Sequence, residues 1–278
     1  AYFLGSSHGF NSVHGRMPSV TTGANLANRE LVYIGVSGDG DTASIGMGQF
    51  THVVRRNLNM TYIVENNGVY GLTKGQFSAT ADQGSKSKKG VINSDSPIDM
   101  VSLALQLGAT FIARSFSGDK EQLVPLIQAG LMHKGFAMID IISPCVTFND
   151  HEGSTKSYAF TREHYHEAVH ADYIPPQREI SVSYGEGEAL PVQMHDGSQV
   201  VLRKLDKEYD PTHRGKAFEY LRTKLREGEH VTGLIFVSSS GPDMHDMAGT
   251  TDVPLNQVPY EKLHPGSEGL AKILKRYA

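Results

Sequence analysis

Four short apolar runs set the rhythm of the first half of the chain, at residues 31–36, 60–64, 110–114 and 136–142. They lack the polar–apolar alternation of a half-exposed strand, which predicts strands buried on both faces, as in a parallel sheet. Between them lie stretches with helical spacing. Residues 45–56 place Ile45, Phe50, Val53 and Val54 at candidate buried positions. Residues 97–107 predict a helix with Ser96 as N-cap and Pro97 in its first position. Residues 119–133 predict a third helix, containing Pro125. Strands separated by helices indicate parallel β-α-β units of the α/β class, with a mainly parallel sheet and helices on both faces.

From residue 151 the texture changes. Residues 178–205 carry shorter strands with turn signals at Gly185-Glu186-Gly187 and Asp196-Gly197, the pattern of an antiparallel hairpin. A turn at Asp210-Pro211, a helix over 216–225, a strand at 234–237 and a terminal helix over 268–277 follow. The chain therefore divides into residues 1–150 and a C-terminal extension, 151–278. Residues 81–90 are polar and glycine-bearing and are expected to form a surface loop.

Composition narrows the function classes. A net charge of −4 argues against a strongly basic nucleic-acid surface. Hydrophobic residues at 39% and charged residues at 20% describe an ordinary globular protein. No run approaches the roughly 18 apolar residues of a membrane span, so no membrane role is expected. The opening residues have neither a basic nor a long apolar region, and the cytoplasm is the expected compartment. The lone cysteine, Cys145, removes any intramolecular disulfide and any zinc site built from several thiolates.

The chemistry concentrates in residues 35–76. The first strand ends in Gly35-Val36-Ser37-Gly38-Asp39-Gly40-Asp41 and a helix follows. Glycines at such a turn let the backbone approach a phosphate at the helix N-terminus. Asp39 stands in the middle of the turn, and a bare carboxylate repels a pyrophosphate unless a divalent cation lies between them. The second strand ends in Glu65-Asn66-Asn67-Gly68-Val69-Tyr70, where Asn67 offers a neutral oxygen and the turn a backbone carbonyl. Mg²⁺ favours one or two carboxylates completed by phosphates, waters and neutral oxygens. Either turn alone is as readily structural; the two together, each after a buried strand, point to a metal-bridged diphosphate.

The pairing GDG, 25 intervening residues, then NN resembles the thiamine diphosphate motif. The run GDGDTASIGMGQFTHVVRRNLNMTYIVENNGVYGLTKGQFSAT resembles the β subunit of 2-oxoacid:ferredoxin oxidoreductases. So do His14-Gly15-Arg16, the segment from Thr21 to Ala24, and Ser143-Pro144-Cys145-Val146-Thr147-Phe148-Asn149. The resemblance implies a thiamine-diphosphate-binding fold in residues 1–150. Asp39, Asn67 and the Val69 carbonyl would ligate Mg²⁺. Gly38, Gly40 and Asp41 would hold the diphosphate, and Gly71, Leu72 and Thr73 would line the cofactor. His14 and Arg16 would lie at its phosphate or substrate end, His14 also with a catalytic role. Lys74 would attract a 2-oxoacid carboxylate.

The implied activity is oxidative decarboxylation of a 2-oxoacid, 2-oxoglutarate favoured, with coenzyme A to acyl-CoA, CO₂ and reduced ferredoxin. It is reversible, and so able to fix CO₂ in the reverse TCA cycle. The implied partners are an α (or α/γ) subunit carrying the activating glutamate, ferredoxin, and a second copy in a dimer of heterodimers; this chain alone would be inactive. Family members hold a 4Fe–4S cluster with four cysteines, of which Cys145 matches the fourth. The other three would precede residue 1, and the sequence, which does not begin with Met, is expected to lack its native N-terminus.

Four rival or unabsorbed features remain. A non-redox thiamine diphosphate decarboxylase or synthase would share the cofactor turns, though the YGLTKGQ and SPC segments argue against it. His166-Glu167-Ala168-Val169-His170 spells the H-E-x-x-H of zinc hydrolases and is expected on a helix, where residues four apart share a face. Arg214, Lys216, Arg222, Lys224 and Arg226 suggest a basic helix face, either solvated or docking an acidic electron carrier or coenzyme A phosphates. The turn Asp210-Pro211-Thr212-His213-Arg214 reads as structural or subunit-contacting.

Overall fold

The computed structural model describes residues 5–87, 89–152, 154–174, 189–193, 199–204, 206, 209–238, 241–264 and 266–277. The helices are α1 (Met17–Ala27), α2 (Met47–Arg55), α3 (Met100–Leu107), α4 (Lys120–Met132), α5 (Tyr158–His164), α6 (Arg214–Arg226), α7 (Met244–Ala248), α8 (Tyr260–Leu263) and α9 (Gly266–Tyr277). The strands are β1 (Ile34–Gly38), β2 (Met60–Asn66), β3 (Val69–Tyr70), β4 (Gln76–Phe77), β5 (Phe111–Phe116), β6 (Phe136–Ile142), β7 (Tyr165–Ile174), β8 (Ala189–Gln193), β9 (Gln199–Lys204) and β10 (His230–Val237). A π-helical turn, Gly40–Ile45, links β1 to α2.

One eight-stranded sheet has the order β1-β2-β6-β5-β10-β7-β9-β8. The strands β1, β2, β6 and β5 run parallel, β10 joins β5 antiparallel, and β7 runs parallel to β10. The hairpin expected in residues 178–205 is present as the antiparallel pair β8 and β9, which continues the sheet beyond β7. Pro191, which has no N–H for a ladder, sits on the edge strand β8. The turn signals at 185–187 and 196–197 lie outside the described residues. The sheet is thus continuous across residue 150.

Every residue of β5 and β6 is buried, as a sheet covered on both faces requires. On one face Phe50 of α2 meets Tyr62 and Phe136 edge-on, with ring centroids 5.5 and 6.0 Å apart. On the other, Gly130 of α4 lies against Thr61, Ala137 and Ile139. Alternate residues of β2 and β6 therefore serve two helical layers. Helix α3 starts at Met100, three residues later than the expected first position at Pro97. The Ile98 N–H is taken by the Ala79 carbonyl (2.8 Å), and Asp99, not Ser96, caps the helix through Ser102 N. No helix among the described residues is long and apolar enough to cross a membrane.

The three-ring cluster beneath α2 is the anchor of the first layer. Phe50→Ala is expected to lower stability by about 3–5 kcal/mol. Chemical denaturation should register this as a lower midpoint with an unchanged slope.

Candidate functional site

Strands β1 and β2 are neighbours, and Gly38 is in register with Glu65. Their C-terminal ends therefore open at the same edge, where α/β sheets bind ligands. Asp39 follows β1 and Asn67 follows β2, so the pairing brings together side chains 28 residues apart. The π-helical turn after Asp39 crowds Gly40 against Tyr70: a Cβ there would lie 2.3 Å from the tyrosine ring, whose hydroxyl donates to the Gly40 carbonyl at 3.2 Å. Only glycine fits.

Asp39 is 1% exposed, and a buried carboxylate must be met by donors. Its Oδ2 accepts from Gly68 N (3.2 Å), from Thr80 Oγ1 (2.5 Å) and from Ser78 Oγ. Its Oδ1 accepts a single long bond from Asn67 N, at 3.4 Å. Three donors thus fix the rotamer through one oxygen and leave lone-pair capacity on the other. The Asn67 side-chain oxygen accepts from Val69 N (3.0 Å), and Asn149 Nδ2 donates to the Asn67 carbonyl (2.8 Å). A carboxylate oxygen, an amide oxygen and the carbonyls of the 67–69 turn are hard donors, and glycine flanks Asp39 on both sides. This donor set suits Mg²⁺ carrying a diphosphate.

Asp41, two residues on, accepts from His14 Nδ1 at 2.7 Å. That hydrogen bond, with the carboxylate charge, raises the His14 pKa above its usual value. The segment carrying His14 and Arg16 is seated on the same turn, because Gly15 packs on Ile45 and Gly46. Arg16 is the N-cap residue of α1, and its side chain makes no capping bond. Residues 71–74 form an exposed turn between β3 and β4. Leu72 is 94% exposed, Thr73 Oγ1 donates to Gln76 Oε1 (2.5 Å), and Lys74 holds a left-handed backbone at φ 77°. Cys145 follows β6, and its Sγ lies 3.7 Å from where a Cβ on Gly71 would stand. The ends of β1, β2 and β6 thus gather Gly38, Asp39, Gly40, Asp41, Asn67, Val69, Gly71 and Cys145 at one edge. Leu72, Thr73 and Lys74 stand on the exposed turn beside it.

The family described as "Thiamine pyrophosphate enzyme, C-terminal TPP binding domain" matches residues 2–141. The chain belongs to the thiamine pyrophosphate enzyme family. Within that family it is similar to the 2-oxoglutarate oxidoreductase subunit KorB of Mycobacterium tuberculosis, 43% identical over 150 residues, or 54% of this chain and 40% of that protein. It is also similar to the 2-oxoacid:ferredoxin oxidoreductase subunit beta of Saccharolobus solfataricus, 44% identical over 165 residues, or 58% of this chain and 51% of that one. The matches span about half or less of these relatives' lengths. A solved structure is similar as well: 2-oxoglutarate:ferredoxin oxidoreductase from Magnetococcus marinus with 2-oxoglutarate, coenzyme A and succinyl-CoA bound. Its TM-score is 0.65 at 28% identity, covering 85% of this chain and 66% of that one. The expected α/β thiamine-diphosphate-binding fold is therefore borne out.

One expectation is corrected. His166 and His170 lie on β7, not on a helix. An extra residue, Ala168, enters the ladder because Thr232 faces Glu167 while Gly233 faces Val169. Gly233 makes this bulge possible with φ 87° and the Val169 carbonyl 2.2 Å from any Cβ. His166 Nε2 pairs with Asp206 (3.2 Å), whereas His170 Nδ1 pairs with Glu167 (2.8 Å), so the three do not converge. Among the described residues no group of three or more His, Cys, Asp or Glu could hold a metal ion. On α6 the five basic residues divide: Lys216, Arg222 and Arg226 are exposed, while Arg214 and Lys224 are engaged within the chain. Arg214 donates to the carbonyls of Leu105 and Ala109, both at 2.8 Å, and stacks on Phe236, while Lys224 pairs with Glu227 and Glu229. Local hydrogen bonds hold the 210–214 turn: Asp210 accepts from Thr212, and His213 caps α6.

Sequence reading singled out Asp39 without its supports Ser78, Thr80, Asn66 and Asn149. The available signal was two hydroxyls at alternate positions, Ser78 and Thr80, in the segment that returns from the Tyr70 turn.

If the Asp41 bond sets His14's proton affinity, Asp41→Asn should return its midpoint toward the ordinary histidine value near ~6.5. A histidine ¹H–¹⁵N NMR titration reads the shift. In the unsubstituted chain the imidazolium should persist to higher pH, and the His14–Asp41 attraction should fade as pH rises through that raised midpoint.

Proposed function

We propose that this chain is the β subunit of a 2-oxoacid:ferredoxin oxidoreductase, with residues 1–150 as the cofactor-binding part and residues 151–278 as its extension. The observation that carries the reading is the hard-oxygen set of Asp39, Asn67 and the Val69 backbone, at adjoining strand ends in a chain of the thiamine pyrophosphate family. The names of its relatives and the ligands in the related Magnetococcus marinus complex support the choice of activity, with 2-oxoglutarate the favoured substrate and coenzyme A the acyl acceptor.

Asp39, through Oδ1, Asn67, through its side-chain oxygen, and Val69, through its carbonyl, would hold Mg²⁺. The amides around Gly38, Gly40 and Asp41 would receive the diphosphate, with Gly71, Leu72 and Thr73 along the cofactor's flank. Bound there, thiamine diphosphate supplies the electron sink for loss of CO₂ from a 2-oxoacid. Lys74, on its exposed turn, offers a cation to the substrate carboxylate. His14, whose pKa the Asp41 hydrogen bond raises, offers a second cation and a proton at Nε2 when protonated, and Arg16 adds a third positive charge.

A 4Fe–4S cluster needs about four thiolates, and these 278 residues supply one. The chain's own donors therefore do not make the cluster; Cys145, beside Gly71, fits as one ligand, the others coming from outside these residues. The reading carries with it an α partner subunit, ferredoxin as electron acceptor, assembly as a dimer of heterodimers, and a cytoplasmic setting.

The test is a cofactor assay on the complex purified anaerobically with whatever subunit accompanies it. Denaturation should release near one thiamine diphosphate per chain, together with iron and acid-labile sulfide. Asp39→Ala should lose the cofactor with the fold intact, because the diphosphate charge then goes uncompensated. Full cofactor occupancy in that variant would overturn the metal assignment. Cofactor without iron would favour a non-redox thiamine enzyme.

A further inference from the structure

Behind Asp39 runs a chain of buried polar groups that the proposed chemistry does not use. Thr80, Asn66, Asp140 and Arg114 are all at most 6% exposed, and Asp140 is fully buried on β6. Thr80 Oγ1 lies 2.5 Å from Asp39 Oδ2 and 2.9 Å from the Asn66 side-chain oxygen. Asn66 Nδ2 donates to Asp140 Oδ1 at 3.0 Å. Arg114 Nε donates to Asp140 Oδ2 at 2.8 Å, and Arg114 also pairs with Asp99.

The polarity of this chain is fixed from its far end. Arg114 only donates, so Asp140 Oδ2 must accept. Oδ1 is then the acceptor for Asn66, which must present its amide nitrogen to Asp140 and its oxygen to Thr80. Thr80 carries one hydroxyl proton and has three oxygens in reach: Asp39 Oδ2 and the Asn66 side-chain oxygen at 2.5 and 2.9 Å, and, farther off at 3.2 Å, Ser78 Oγ, whose own proton goes to Asp39. A cation on Asp39 weakens that carboxylate as an acceptor, and the hydroxyl can then turn to Asn66 without leaving a buried donor unmet.

We propose that Asp140 is a positioning residue for the metal site: through Asn66 it keeps an alternative acceptor in front of Thr80, so that the hydroxyl can turn away from Asp39 Oδ2 and leave more negative charge on the carboxylate whose Oδ1 takes the metal. The proposal rests on the reading of Asp39 as a metal ligand. Asp140→Asn reverses the polarity by the same logic. Its single oxygen must serve Arg114, its amide nitrogen then faces Asn66, Asn66 flips, and Thr80 meets a donor. The hydroxyl proton then stays on Asp39 Oδ2 and draws charge from the carboxylate whose Oδ1 binds the cation. Arg114 keeps Asp99 as a counter-ion, so the substitution leaves no unpaired buried charge.

The test is Mn²⁺ binding to the complex of this chain with its partner subunit, in the presence of thiamine diphosphate. Loss of the free-ion electron paramagnetic resonance signal gives the dissociation constant without any turnover. Asp140→Asn should weaken Mn²⁺ binding about tenfold, the lower end for partners of metal ligands, with an unchanged melting temperature. Thr80→Ser, which keeps the hydroxyl, should bind as the unsubstituted complex does. In a Thr80→Val background, Asp140→Asn should add nothing, because the hydroxyl through which it acts is gone. Should Asp140→Asn fail to fold, Asn66→Ala cuts the same link and leaves the charged groups in place; the same tenfold loss and the same non-additivity are expected. Binding unchanged by these substitutions, or a loss that persists in the Thr80→Val background, would overturn the positioning role while leaving Asp39 as ligand. Absence of Mn²⁺ uptake by the unsubstituted complex would overturn the metal-site reading itself, and this inference with it.

Discussion

A carboxylate at the buried end of a parallel strand pair is the constraint around which the rest is arranged. Desolvating Asp39 without partners would cost several kcal/mol, so the fold must bring donors to it. They come from two places: the backbone of the Asn67–Gly68 turn and the hydroxyls of Ser78 and Thr80. Both sets reach Asp39 only if β2 pairs with β1 in the observed register and the chain then folds back through β3 and β4. A slip of one residue would send Asn67 to the opposite face. The aromatic packing of Phe50, Tyr62 and Phe136 acts against such a slip, because it ties one face of β2 to α2 and β6.

The buried ions further along the sheet have a similar logic. One arginine faces two carboxylates. For Asp99, burial alone would raise the carboxyl, but Arg114 and the Ser102 hydrogen bonds outweigh it and hold Asp99 below the usual range. For Asp140 burial prevails over Arg114 and pushes the carboxyl up. The two therefore act in opposite senses as pH falls: the contribution of Asp99 is lost through its lowered pKa, while Asp140 becomes easier to protonate. Such a group in a sheet core is weak evidence for stability. It is good evidence for directionality, because a guanidinium that can only donate sets the sense of every hydrogen bond downstream.

The legible part of this protein was the part written in periodicity and in short-range turn chemistry. The buried strands at 60–64, 110–114 and 136–142 follow from apolar runs, and their parallel sheet follows from the helices between them; the run at 31–36 gives a strand too, but β1 alternates, with Ile34 48% and Val36 55% exposed, and is not buried on both faces as expected. Asp39 and Asn67 were legible because each ends a strand. Residues 97–107 were misread at their start because the deciding partners, Ala79 for Ile98 and Arg114 for Asp99, are distant in sequence. The H-E-x-x-H segment was misread because its letters suit a helix, whereas β10 holds it as a strand. The bulge at Ala168 depends on Gly233, 65 positions away by residue number, and no local pattern announces it.

The same distinction separates the ligands from their supports. Ligand atoms sit on turns, and turns have local signatures. Thr80, Asn66 and Asp140 act through one another across separate segments, so each in isolation looks like an ordinary polar residue. Asn66 illustrates the point: it is one half of a conspicuous NN pair, yet the two asparagines face different partners. Asn67 looks outward with Val69 N on its oxygen, while Asn66, on the last position of β2, turns inward to Asp140. Alternation along a strand separates neighbours in this way. A paired motif at a strand end can therefore join a ligand facing the cleft to a support facing the core, and the second asparagine makes sense only once the sheet behind it is assembled.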